Sequence, residues 1–122
     1  MIKINQPWFQ SASIPASGTL DSPGAIELVR ARTLSVTVRL TFGGSIDADT
    51  TINVYYSPDG KNWDSIAYTS MTIPYTVSAT KQKTIIIDPV EHGAIKISIV
   101  NGSSADVLTN VTAWKTLESW SK

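Results

Sequence analysis

Chemistry needs reactive groups that converge, and this chain offers few. It holds one histidine, His92, in Val90-Glu-His-Gly93, and no cysteine. Metal sites draw several His, Cys or carboxylate ligands together, and no such set is visible, so neither a metal nor a cofactor is expected. A Ser-His-Asp triad needs an activated serine, and no Gly-x-Ser-x-Gly elbow occurs; Gly102-Ser-Ser104 reads as a polar turn. Glycoside hydrolysis needs two carboxylates across a cleft, and nothing singles out a pair among ten Asp plus Glu. Asp47 and Asp49 form an Asp-x-Asp pair after Gly43-Gly44. Oxygen ligands at this spacing suit calcium, but the further acidic positions and closing glutamate of an EF-hand are missing, and a solvated polar loop is the simpler reading. P-loop and dinucleotide fingerprints are also missing. The expectation is a protein with no catalytic residues, not an enzyme.

The elements that would position any site are strands. Leu34, Val36, Val38, Leu40 and Phe42 alternate with Ser35, Thr37, Arg39 and Thr41. Side chains on a strand alternate between faces, so this run has one buried and one polar face. The same pattern recurs at Ile52, Val54 and Tyr56, and at Ile95, Ile97 and Ile99. Thr84 to Ile87 is a continuous β-branched run, which predicts a strand covered on both faces. Ala25 to Val29, Ser65 to Ile73 and Val107 to Trp114 read as further strands, and Pro7 to Ile14 as one pairing at an edge. Turn residues punctuate the runs at Pro15-Ala-Ser-Gly18, Ser22-Pro-Gly24, Pro58-Asp-Gly60, Asp88-Pro89, His92-Gly93 and Asn101-Gly102. Short strands at this spacing predict an all-β, antiparallel, jelly-roll-like β-sandwich of about eight strands.

At 122 residues the chain fits a single domain, which the pattern places at 11–117. Residues 1–10 read as an N-terminal arm or an edge strand, and 118–122 as a C-terminal tail. Ten Lys plus Arg balance ten Asp plus Glu. That neutrality argues against a grip on nucleic acid through many phosphates and against polybasic membrane binding. No window reaches the length of an apolar membrane span. No secretory signal is visible at Met1 to Gln10.

The most distinctive segment is Tyr55-Tyr-Ser-Pro-Asp-Gly-Lys-Asn-Trp-Asp64. Ser57, Asp59, Gly60 and Trp63 predict a structural turn, with Gly60 free to take positive φ. The segment resembles the Asp-box hairpin of sialidases and related β-proteins, with one residue fewer between its Asp and its Gly. Trp8, Trp63, Trp114 and Trp120 invite a second reading, since sugars stack on flat rings, but core or interface packing explains most tryptophans.

The order of features is also familiar. A polar opening from Ser11 to Gly24 leads to Ala25-Ile-Glu-Leu-Val29 and the alternating strand Leu34 to Phe42. Val54 to Asp64, Thr84-Ile-Ile-Ile-Asp-Pro89, Ile95 to Asn101 and Val107 to Trp114 follow. From about Ser11 to Leu117 this resembles the small β-sandwich virion structural proteins of tailed bacteriophages. The resemblance implies a head decoration protein or a neck or tail component, located in virions assembled in the host cytoplasm. It implies a homo-oligomer, a trimer by preference, contacting the major capsid protein or another virion protein, and it carries over no catalytic residue. Trp8 and Phe9 in the N-terminal segment and Trp120 near the end are the candidate interface residues, because aromatics are enriched in interfaces. The alternative is a carbohydrate-binding β-sandwich module, in a phage adsorption apparatus or attached to a secreted enzyme.

Overall fold

The alternation at Leu34–Phe42 becomes the central strand of a two-layer sandwich. In the computed structural model, which describes residues 2–27, 31–87 and 93–119, nine strands follow one another: β1 (Ile2–Ile14), β2 (Thr19–Asp21), β3 (Ile26–Glu27), β4 (Ala31–Phe42), β5 (Thr50–Ser57), β6 (Thr69–Ile73), β7 (Thr80–Ile87), β8 (Ala94–Asn101) and β9 (Leu108–Ser119). No helix occurs among the described residues.

The strands form a four-stranded sheet in the order β1-β9-β4-β7 and a five-stranded sheet, β2-β8-β5-β6, with β3 also on β8. Every pairing is antiparallel. Thr19–Asp21 and Ile26–Glu27 occupy successive stretches of β8, so β2 and β3 are one strand interrupted at Ser22-Pro-Gly24. The Ser22 backbone N–H donates to Ile97 O (2.9 Å), and Ser22 Oγ accepts from the Ile97 N–H (3.1 Å), bridging the break. Nine strands thus fill eight positions, and the chain passes between the sheets as in a jelly roll.

Leu34, Val36, Val38, Leu40 and Phe42 of β4 are buried, facing Ile52 and Val54 of β5 and Ile95, Ile97 and Ile99 of β8. These aliphatic side chains fill the space between the sheets, and their burial is the main driving force of the fold.

Three expectations need correction. Thr84–Ile87 is not covered on both faces: β7 pairs with β4 alone, at the edge of its sheet, and Ile86 is 78% exposed while Ile87 is buried. The strand expected from Ser65 begins at Thr69, because the chain before it is held in a turn by Asp64 N–H to Tyr56 O (3.0 Å) and Tyr68 N–H to Val54 O (2.7 Å). Glu118 and Ser119 lie within β9, paired with Lys3 and Ile2, rather than in a tail. Residues 2–10 belong to β1, an edge strand whose register shifts between Pro7 and Phe9 and twice more before Ile14.

Candidate functional site

Ser57 ends β5 buried, and the turn after it is built around Asp59. Asp59 Oδ1 accepts from the Lys61 and Asn62 N–H groups (both 2.8 Å) and from Ser57 Oγ (3.0 Å), while Oδ2 accepts from Asn62 Nδ2 (2.6 Å). Ser57 Oγ also accepts from the Gly60 N–H (2.8 Å). The donors at Asn62 and Lys61 favour the ionised carboxylate and hold Asp59 well below the ordinary carboxylate range. Gly60 takes a φ of +76°. The Asp59 oxygens are thus engaged in holding the loop, and Trp63 lies under the ammonium of Lys96, 4.6 Å from its ring centroid.

A second network ties the loops at the other end of β5. Asn101 is buried and donates through Nδ2 to the carbonyls of Ile14 (3.3 Å), Pro15 (3.2 Å) and Asp106 (2.9 Å), while its Oδ1 accepts from the Ser103 N–H (3.0 Å). Ser103 Oγ donates to Asp47 Oδ1 (2.6 Å) and accepts from the Ala105 N–H (3.1 Å). Asp49 Oδ1 accepts from the Tyr75 N–H (3.0 Å). Asp47 and Asp49 therefore brace two different loops. Asp106 accepts from the Ser45 and Val107 N–H groups, which lower its pKa in that order. Among the described residues no three His, Asp or Glu side chains converge as a metal would require.

The three described tryptophans do not share a platform. Trp8 and Phe9 are half-buried against the domain's own core, their ring centroids 6.3 Å apart, with Lys115 Nζ 5.8 Å from the Trp8 ring. Trp63 is on the turn after β5. Trp114 lies on the outer face of the four-stranded sheet, where the guanidinium of Arg39 sits 4.8 Å from its centroid. Each of these three rings is thus within cation–π reach of a basic side chain of the same chain. Trp120 and His92 lie outside the described residues.

The outer face of the four-stranded sheet also holds an open trough of about 260 Å³, lined by Thr37, Arg39, Gln82, Trp114 and Thr116. Strand register explains the grouping: Thr37 stands opposite Trp114 on one side and Thr84 on the other, and Arg39 opposite Gln82. Arg39 Nε donates to Gln82 Oε1 (3.1 Å). Sequence reading missed Arg39 and Gln82 because their meeting depends on which strands pair. The available signal was their outward position in alternating strands.

No family model matches the chain. An uncharacterised protein of Methanocaldococcus jannaschii is 42% identical over 59 residues, which cover 48% of this chain and 54% of that one. The chain thus spans about half the length of the curated relative it matches. Among solved structures, a chain of infectious bursal disease virus, Gx strain, superposes with a TM-score of 0.60 at 12% identity, over 97% of this chain and 32% of that one. The C-terminal CBM6 of a marine laminarinase from Zobellia galactanivorans gives 0.50 at 10% identity, over 96% of this chain and all of that one. A CBM22-1–GH10 xylanase of Clostridium thermocellum, complexed with xylohexaose, gives 0.55 at 7% identity, over 98% of this chain and 30% of that one. The likeness is one of fold. Viral capsid domains and carbohydrate-binding modules share this β-sandwich, and a fold of this kind hosts unrelated functions.

Proposed function

We propose that this chain is a virion structural protein of a tailed bacteriophage or a related virus, acting by protein–protein contacts as a capsid decoration or stabilising protein rather than as an enzyme. The observation that carries the reading is the placement of exposed apolar side chains. Of the six large hydrophobic residues exposed among the described residues, Ile66, Tyr68, Tyr75, Val77 and Ile86 lie in the stretch that builds β6 and β7. Those strands border the same side of the sandwich, since Lys81 and Lys83 of β7 reach the carbonyls of Pro74 and Thr72 (2.8 and 3.1 Å). Ile66, Tyr68, Tyr75 and Val77 flank β6, and Ile86 stands in register with Ser35 on the outer face of the four-stranded sheet; exposed apolar side chains concentrated in one stretch of chain mark a contact surface better than the same number scattered singly. The likeness of nearly the whole chain to a domain of a virus particle supports the same reading.

The carbohydrate-binding alternative loses its main motive, the aromatic content, because the three described tryptophans stand on different surfaces beside their own cations. The partners are further copies of this chain, a trimer by preference, and a major capsid or other virion protein. Light scattering on the purified protein tests self-association. The expected mass is three times 13.2 kDa; a strict monomer at every concentration removes the homo-oligomer.

A further inference from the structure

The trough beside Trp114 lies on the outer face of the four-stranded sheet, with Gln82 of β7 forming one of its walls. Its centre is Arg39, an exposed side chain pinned at two points. Its Nε donates to Gln82 Oε1 (3.1 Å), and its guanidinium carbon lies 4.8 Å from the centroid of Trp114. These contacts use the Nε hydrogen and one face of the guanidinium plane. Among the described residues nothing takes the four hydrogens of the terminal nitrogens, and no carboxylate pairs with Arg39. A guanidinium fork matches a carboxylate in two parallel hydrogen bonds. One already held in place loses less freedom when the ligand arrives.

The surroundings specify what carries that carboxylate. Among the described residues Arg39 is the one charged side chain lining the trough; the others are Thr37, Gln82, Trp114 and Thr116. Beside them the Thr37 and Thr84 hydroxyls bond to each other (2.7 Å), as do those of Thr41 and Thr80 (2.9 Å). In each pair one hydroxyl donates, so the other keeps its hydrogen for a ligand, and both keep lone pairs. A face of hydroxyls around one fixed cation suits a ligand rich in hydroxyls with isolated carboxylates. It does not suit a polyanion, which would need several cations.

We propose that the trough binds an acidic glycan, with Arg39 receiving a uronate carboxylate and Thr37 and Gln82 meeting its hydroxyls. The site goes beyond the virion reading and does not rest on it, since its lining comes from a single copy of the chain.

The test is a titration of the purified protein with oligogalacturonate, followed by the indole N–H resonance of Trp114 and by tryptophan fluorescence. The neutral galactose oligomer and a glutamate oligopeptide of equal length serve as comparisons. The expected result is a saturable shift of Trp114 with oligogalacturonate, binding at least about tenfold weaker for the neutral oligomer, the worth of one charge-assisted hydrogen-bond pair, and weaker binding too for the glutamate peptide, which keeps the carboxylate but lacks the hydroxyls. Arg39→Gln loses the shift while keeping the melting temperature, and Arg39→Lys recovers part of it. No saturable shift at about 10 mM, equal binding of the glutamate peptide, or undiminished binding by Arg39→Gln overturns the proposal.

Discussion

Lys83 Nζ lies 3.1 Å from the carbonyl oxygen of Thr72, so a side chain of one sheet caps the edge strand of the other. Lys81 reaches the carbonyl of Pro74, one residue past that strand (2.8 Å). An uncapped edge offers backbone groups to any passing strand, and lysine is a common device for blunting it. The double variant Lys81→Ala, Lys83→Ala is expected to lose only about 1–2 kcal/mol, since exposed hydrogen bonds contribute modestly, but to aggregate at concentrations where the parent stays dispersed. Urea melts and turbidity measure the two effects separately; an unchanged aggregation threshold would show that the lysines do not protect the edge.

The buried Asn101 side chain makes four hydrogen bonds to the loops around it, as many as Asp59 makes in its exposed turn. Asn101→Ala strips a partner from the carbonyls of Ile14 and Asp106 and from the Ser103 N–H, while the Pro15 carbonyl keeps its bond from the Gly18 N–H (2.8 Å). Unpaired buried groups each carry a desolvation penalty, so a loss of about 3 kcal/mol is expected in chemical denaturation. A loss below about 1 kcal/mol would mean that water replaces the amide without penalty.

Thr50 makes the opposite prediction. It is fully buried and its Oγ1 is without a hydrogen-bond partner among the described residues. Thr50→Val keeps the shape and removes the orphaned hydroxyl, so the variant should be more stable by about 1 kcal/mol. A destabilised variant would reveal a partner for that oxygen.

Asp59 sets an acid limit on its turn. Its folded pKa is depressed, chiefly by the Asn62 and Lys61 N–H groups. Its contribution is therefore complete above the unfolded value, near 3.8, and declines as the pH falls below it. Carboxyl chemical shifts against pH should show Asp59 still ionised when the exposed carboxylates have protonated, and Asp59→Asn should soften the acid loss of stability. An Asp59 titration at the ordinary carboxylate pH would contradict the hydrogen-bonding account.

The sheets were legible where one face is buried and the other wet. Leu34–Phe42 and Ile95–Ile99 announce themselves by alternation, and the Ser57–Gly60 turn by residue type. Thr84–Ile87 misled because a run of β-branched residues looks alike whether its second face is covered or lies at a sheet edge. The interruption between β2 and β3 was marked by Ser22-Pro-Gly24, but nothing local says that both halves pair with β8. The trough was illegible for a related reason: Arg39, Gln82 and Trp114 stand 32 to 75 positions apart, and only strand order and register bring them together.

The virion reading is tested most directly by mixing the purified protein with undecorated capsid shells of a virus that encodes it and pelleting the shells. The account predicts saturable co-sedimentation that Ile66→Ser and Ile86→Ser weaken without lowering the melting temperature. Protein that stays in the supernatant at every ratio would contradict it.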